Sequence, residues 1–169
     1  MMSVPNLYPT DRLLQKLLNM TPVSTYPHPD SLHTGDAAHT VHVYRIGTPG
    51  NPQAGPGNEL HVAVQPELEV AQPGAGGVHH LAFNIPDADY HAWTERLQHL
   101  GVQSSGPVDR YYFRSLYFRE PNGVLFELAT QGPGFAVDED AATLGEKLVL
   151  PPFLEPQRAQ ILAGLKPID

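Results

Sequence analysis

The Gly/Pro-rich run Gln72-Pro73-Gly74-Ala75-Gly76-Gly77 separates two stretches that read as the same order of elements. That repetition constrains the fold more than any other feature of the chain. Downstream, Val78–Ile85 (VHHLAFNI) reads as a strand bounded by Gly77 and Pro86. Asp87 stands where a helix N-cap belongs, and Tyr90, Trp93, Leu97 and Leu100 follow at helical spacing up to Gly101. Strands are expected at Val102–Ser105, Tyr111–Phe118 and Val124–Thr130, the last two joined by the turn Pro121-Asn122-Gly123. Upstream, Thr10 or Asp11 caps a helix with the apolar stripe Leu13, Leu14, Leu17, Leu18 and Met20, followed by strands at Pro22–Tyr26, Thr40–Ile46 and Glu59–Val64. The loop Gly47–Asn58 is rich in Gly and Pro and is expected to be mobile. The upstream copy lacks a convincing first strand, because Pro5 and Pro9 stand in the residues before its helix. The expectation is an α+β chain of paired βαβββ modules, the first truncated at its N-terminus. Residues 1–70 form the incomplete first module, 71–77 a linker, 78–130 the second module, and 131–169 a C-terminal tail packing on it.

Composition narrows the function classes. A chain of 169 residues that is 41 % hydrophobic and 17 % charged has the makings of one globular core. The net charge of −8, with no cluster of Lys or Arg, argues against a nucleic-acid partner. No apolar run is long enough to span a membrane, and no basic segment followed by an apolar one marks a secretion signal. A cytoplasmic location is expected. With no cysteine, disulfides, thiolate metal sites and cysteine nucleophiles are excluded, so a metal would have to be held by carboxylates and some of the nine histidines.

Side-chain alternation along a strand then sorts the second module. His80, Ala82 and Asn84 share one face of the first strand, and Leu81, Phe83 and Ile85 the other. In the hairpin, Ser115, Tyr117 and Arg119 oppose Leu116 and Phe118; Leu125, Glu127 and Ala129 oppose Val124, Phe126 and Leu128. The bulky sets belong under the helix. His80, Tyr117 and Glu127 are left together on the opposite, concave face, where polar groups are costly to bury unpaired. Strict alternation sends His79 to the helix side, although, as it begins the strand, it can also turn around the rim. The blander readings are a core histidine, a solvated strand carboxylate, a rim tyrosine and, for Arg110, a loop cap or a pair with Asp109. His28, His33, His39, His91 and His99 read as surface residues, and Asp138-Glu139-Asp140 as a solvated loop.

Gly76-Gly77-Val78-His79-His80-Leu81-Ala82-Phe83, taken with Tyr117-Phe118-Arg119-Glu120-Pro121-Asn122-Gly123-Val124-Leu125-Phe126-Glu127-Leu128, resembles the vicinal oxygen chelate superfamily of glyoxalases, bleomycin resistance proteins and extradiol dioxygenases. With the tail segments Leu144-Gly145, Leu150-Pro151-Pro152-Phe153-Leu154-Glu155-Pro156 and Arg158, the chain is similar to the C-terminal half of ring-cleaving dioxygenases that open hydroquinones. The resemblance is close from Gly76 to Pro167 and looser before it. It implies a cleft between βαβββ modules, holding one Fe(II) or Mn(II) by two His and one Glu, with open positions for an aromatic diol and O₂. It makes His80 and Glu127 metal ligands, His79 a neighbouring acid–base group, and Arg110 and Tyr117 contacts to substrate.

Full-length members of that subgroup are roughly twice as long, and their second His ligand lies in the N-terminal half. Within this chain only His42 and His61, on first-module strands, offer themselves, and neither matches the family position. The leading expectation is therefore a metal-dependent ring-cleaving dioxygenase or its C-terminal domain, completed by a homodimer or by a protein carrying the N-terminal half. The alternatives are a non-catalytic member that binds a small aromatic, an inactive fragment of a split dioxygenase, and a glyoxalase-like enzyme, against which the tail argues.

Overall fold

The computed structural model describes residues 1–29, 39–47, 56–69, 74–75 and 77–166, with Pro56 as backbone only. His33 and most of the loop 47–58 lie outside the described residues. The first module runs β1 (Met2–Val4), α1 (Leu7–Lys16), β2 (Thr21–Pro27), β3 (Thr40–Arg45) and β4 (Glu59–Val64). The second runs β5 (Leu81–Asn84), α2 (Tyr90–His99), β6 (Val108–Asp109), β7 (Arg114–Arg119) and β8 (Leu125–Ala129). Each forms a four-stranded mixed sheet of the same topology, β1-β4-β3-β2 and β5-β8-β7-β6, in which the first strand joins the last in parallel.

The first module, expected to be truncated at its start, opens with a strand of 3 residues. The prolines flank it rather than interrupt it. Pro5 follows Val4, and Pro9 sits in the first turn of α1, where a missing N–H costs nothing. The cap of α1 is Asn6, whose side chain accepts from the Tyr8 N–H at 3.1 Å, and not Thr10 or Asp11. Those two residues do other work. Thr10 is buried and donates to Glu120 at 2.6 Å, while Asp11 accepts from the Tyr44 hydroxyl at 2.7 Å.

The repeat can be aligned residue by residue. Val4-Pro5-Asn6 and Ile85-Pro86-Asp87 both carry the chain from a first strand toward a helix. With Val4 set on Ile85, Ser3 falls on Asn84, and their partners Ala63 and Ala129 fall on each other. The antiparallel registers then set His61 on Glu127, Val43 on Tyr117, Tyr44 on Phe118 and Arg45 on Arg119.

One hydrophobic core unites the modules, with Val4, Leu14, Leu17, Tyr44 and Leu60 from the first and Ile85, Tyr90, Leu97, Leu116 and Phe126 from the second. Arg96 of α2 reaches across to the end of α1. Its guanidinium donates to the carbonyls of Leu17 at 2.8 Å and Lys16 at 2.6 Å, which have no partner within their own helix. Buried Glu120, in the β7–β8 turn, accepts from Thr10 of α1, from the Val124 N–H at 3.0 Å and from Asn122 at 3.3 Å.

Several local expectations shift. β5 begins at Leu81, three residues later than the sequence suggests. Val102–Ser105 contributes only a bridge from Ser104 to Phe118, and the edge strand is β6. Leu100 falls at the end of α2 and is exposed. His28 is buried rather than on the surface, its backbone N–H donating to the His39 carbonyl at 2.7 Å. The tail anchors early: Phe135 stacks on Tyr112 at 5.1 Å, and the Tyr112 hydroxyl donates to Asp138 at 3.1 Å. Burial, then that bond to Asp138, pushes the Tyr112 phenol up from its ordinary pKa. Farther on, the tail bonds to itself, as where Arg158 pairs with Glu155 and donates to the Leu148 carbonyl, and its last helix, α3 (Arg158–Gly164), buries no residue.

Candidate functional site

Register builds the site. Glu127 lies in the middle of β8, beside Ala82 of β5 on one side and Tyr117 of β7 on the other. Alternation turns Ser115, Tyr117 and Glu127 to the same, concave face. His80, just before β5, reaches the same face.

There the His80 Nε2 is 2.7 Å from Glu127 Oε2, and the Ser115 hydroxyl donates to Glu127 Oε1 at 2.5 Å. His79 meets His80 through their Nδ1 atoms at 2.8 Å. The His80 and Tyr117 rings stand edge to face, 5.9 Å apart. Arg110 donates to the Tyr117 hydroxyl at 3.2 Å, with its guanidinium 5.3 Å from the ring centre. Arg110 is aimed by its backbone: its N–H donates to the Phe113 carbonyl at 2.9 Å. The next residue, Tyr111, is left-handed at φ 70° and donates its N–H to Asp109 at 2.7 Å. The structure thus joins all five sequence-derived site residues in one run of contacts, from His79 through His80 to Glu127 and through Tyr117 to Arg110. His79 escapes the alternation because the strand starts after it, and it lies exposed at the rim.

Electrostatically, Glu127 is buried, and among the described residues it has no Lys or Arg ion pair. A buried carboxylate is costly unless it is hydrogen-bonded or paired, and here Ser115 and His80 are the groups that meet it. The first module differs. Glu59 accepts two bonds from Arg45, at 2.5 and 3.2 Å, which hold its carboxyl below the usual carboxylate range. His61 lies 2.8 Å from the Tyr26 hydroxyl through Nδ1 and 3.4 Å from Glu59 through Nε2. Neither His42 nor His61 joins His80 and Glu127: among the described residues, no three His, Asp or Glu side chains come together as a metal site. By type, a His and a Glu are two members of a two-His, one-carboxylate triad, and among the described residues no third such side chain lies beside them.

The sequence reading missed Ser115 as a site residue. Its signal was present, since Ser115 lies two residues from Tyr117 and so shares its face; the bond itself depends on a register that sequence does not reveal.

Comparison with known proteins identifies the family. The family model "Glyoxalase/Bleomycin resistance protein/Dioxygenase superfamily" matches residues 12–128. MhqA of Bacillus subtilis strain 168, provisionally assigned as a ring-cleaving dioxygenase, is 40 % identical over 169 residues, covering 99 % of this chain and 50 % of its own length. A chlorohydroquinone/hydroquinone 1,2-dioxygenase of Sphingobium indicum is 40 % identical over 95 residues, 53 % of this chain and 28 % of that protein. The crystal structure of a provisionally assigned dioxygenase from Bacillus subtilis superposes with a TM-score of 0.76 at 34 % identity, covering 98 % of this chain and 48 % of that one. The chain therefore spans about half the length of MhqA and of that structure. From the family match, the repeated βαβββ sheets and the superposition together, the chain belongs to the glyoxalase/bleomycin resistance protein/dioxygenase superfamily.

Proposed function

We propose that this chain takes part in metal-dependent cleavage of a hydroquinone-type aromatic ring by O₂, supplying His80 and Glu127 as two ligands of a divalent metal, Fe(II) or Mn(II). The observation that carries the reading is buried Glu127, bonded by Ser115 and His80 and lacking a protein cation among the described residues. The metal, when bound, supplies a common point for the diol and O₂ and moves electron density between them.

The other roles belong to side chains. Arg110 donates to the Tyr117 oxygen, which leaves the Tyr117 O–H free to donate to a ligand oxygen. The paired Nδ1 atoms of His79 and His80 need one hydrogen between them. When His80 Nε2 gives its lone pair to a cation, the His80 proton sits on Nδ1 and points at His79. His79 then carries its own proton on Nε2 and, exposed at the rim, exchanges it with ligand or solvent. The third ligand comes from a second copy of the chain or from a protein carrying the other half of the fold. A cytoplasmic location is proposed with it; no described helix is long and apolar enough to cross a membrane.

A second reading, a binding protein that holds a small aromatic without metal, is favoured by the direct His80–Glu127 contact, which already satisfies both groups. One experiment separates them: oxygen uptake with hydroquinone after anaerobic loading with Fe(II) or Mn(II), with light scattering on the same sample. Metal-dependent uptake by an assembled species, abolished in Glu127→Ala, supports the enzyme. Uptake by a clean monomer would refute the shared site, and wild-type turnover in Glu127→Ala would refute the ligand assignment.

A further inference from the structure

On the concave face of the first module, one linked set of polar side chains takes no part in the chemistry above. Tyr26 of β2 lies opposite Val41 of β3, and His61 of β4 lies opposite Val43. The two valines are small and buried, so the phenol and the imidazole meet above them. Their rings are 5.6 Å apart, and the Tyr26 oxygen is 2.8 Å from His61 Nδ1. On its other side, His61 Nε2 is 3.4 Å from Glu59 Oε2, while Glu59 Oε1 takes two bonds from Arg45. These contacts settle where the protons sit. Arg45 holds the Glu59 carboxyl below its usual range, so Glu59 is an acceptor only. His61 therefore carries its hydrogen on Nε2 and has a lone pair on Nδ1, to which the Tyr26 O–H donates.

Among the described residues no other tyrosine donates to an imidazole. Tyr44 and Tyr112 donate to the carboxylates of Asp11 and Asp138, and Tyr90 donates to the Ser115 carbonyl. Tyr8 and Tyr117 accept from arginines. A carboxylate partner opposes loss of the phenolic proton, because two negative charges would then face each other. A neutral imidazole takes that proton, and Glu59 meets the imidazolium that results. The order phenol, imidazole, carboxylate is that of a nucleophile, its base and the group that orients the base.

We propose that Tyr26 is a base-assisted nucleophile that takes an acyl group from an activated ester on this face of the first module. The inference is independent of the proposed function and needs no metal. In the step, the Tyr26 oxygen bonds to the acyl carbon while its proton passes to His61 Nδ1. The bond from the acyl carbon to the leaving oxygen breaks, and the leaving group departs as its anion. Nothing is oxidised or reduced. Glu59 and Arg45 are positioning residues in this step, acting through His61. An ester has access, since β2 is an edge strand and the His61 side chain is 33 % exposed.

The test uses the full chain, metal-free, with p-nitrophenyl acetate at neutral pH. Peptide mass spectrometry follows the acetyl group at each of the 7 tyrosines. Tyr8, 67 % exposed, is the reference for an accessible phenol, and fully buried Tyr44 reports that the fold is intact. The expected result is acetylation of Tyr26 at least about tenfold faster than of Tyr8, although Tyr26 is the less exposed, because a positioned general base contributes that much or more. His61→Gln should bring Tyr26 down to the rate of Tyr8 or below, and Glu59→Gln should give an intermediate rate, with Tyr44 protected in both. Whether or not either variant folds, a wild-type Tyr26 that reacts no faster than Tyr8 overturns the proposal. An undiminished rate at Tyr26 in His61→Gln, with Tyr44 still protected, overturns it too.

Discussion

In the first module the carboxylate of the concave face, Glu59, is held by Arg45 across β3 and β4. In the second, the arginine at the equivalent place, Arg119, finds Leu125 opposite and donates instead to the Gly123 carbonyl. The carboxylate stands two residues later, at Glu127, where the first module has His61. One ladder thus carries two charge arrangements. The first is neutralised within itself by Arg45, with Tyr26 and His61 completing the hydrogen bonds. In the second, the buried carboxylate is met, among the described residues, by an imidazole and a hydroxyl. The fold fixes where side chains on the concave face point. Whether a carboxylate on that face is paired with an arginine depends on whether the two are cross-strand partners.

The largest effect tests whether the two modules are one folding unit. Leu14→Ala on α1 and Leu97→Ala on α2 each empty a fully buried position of the shared core and should each cost about 2–5 kcal/mol. Chemical denaturation should show a single transition that both variants shift. Two transitions, each sensitive to one variant, would break the comparison into separate domains. Next, Ser115→Ala removes the hydrogen bond to Glu127 Oε1 and should weaken metal binding about 10- to 100-fold in a metal titration. Its counterpart in the first module is Val41, which has no hydroxyl to lose, and Val41→Ala should leave metal affinity unchanged.

The smallest effect concerns pH. Burial, then the hydrogen bond to Asp11, pushes the Tyr44 phenol well above its ordinary pKa of 10.0. The folded state therefore keeps the proton that the unfolded chain releases near pH 10, so stability is full below that pH and falls as the pH climbs beyond it. Tyr44→Phe should flatten this alkaline limb in thermal melts taken from pH 8 to 11. Phe118, at the matching place, contributes no such limb.

The element order after β1, the sorting of faces and the meeting of His80, Tyr117 and Glu127 were legible in the sequence, whereas Arg110 was named only through the family resemblance. Period-two alternation is a local property, and Leu81, Phe83 and Ile85 carry it plainly. The short β1 was not legible, because three residues ending at a proline give no periodicity; pairing with β4 makes them a strand. The cap at Asn6 was hidden by the better-looking Thr10 and Asp11, which long-range partners Glu120 and Tyr44 had claimed. The bond from Ser115 to Glu127 and the difference between Arg45 and Arg119 depend on cross-strand register, which no single strand encodes.

The central claim is that the second module's concave face takes a divalent cation and the first module's does not. It is tested most directly by anaerobic titration with Mn(II), following free ion by electron paramagnetic resonance, for wild type, Glu127→Gln and Glu59→Gln. The account predicts that Glu127→Gln weakens binding on the order of 100-fold or more, while Glu59→Gln binds as wild type does. Equal losses in the two variants, or a loss confined to Glu59→Gln, would contradict it.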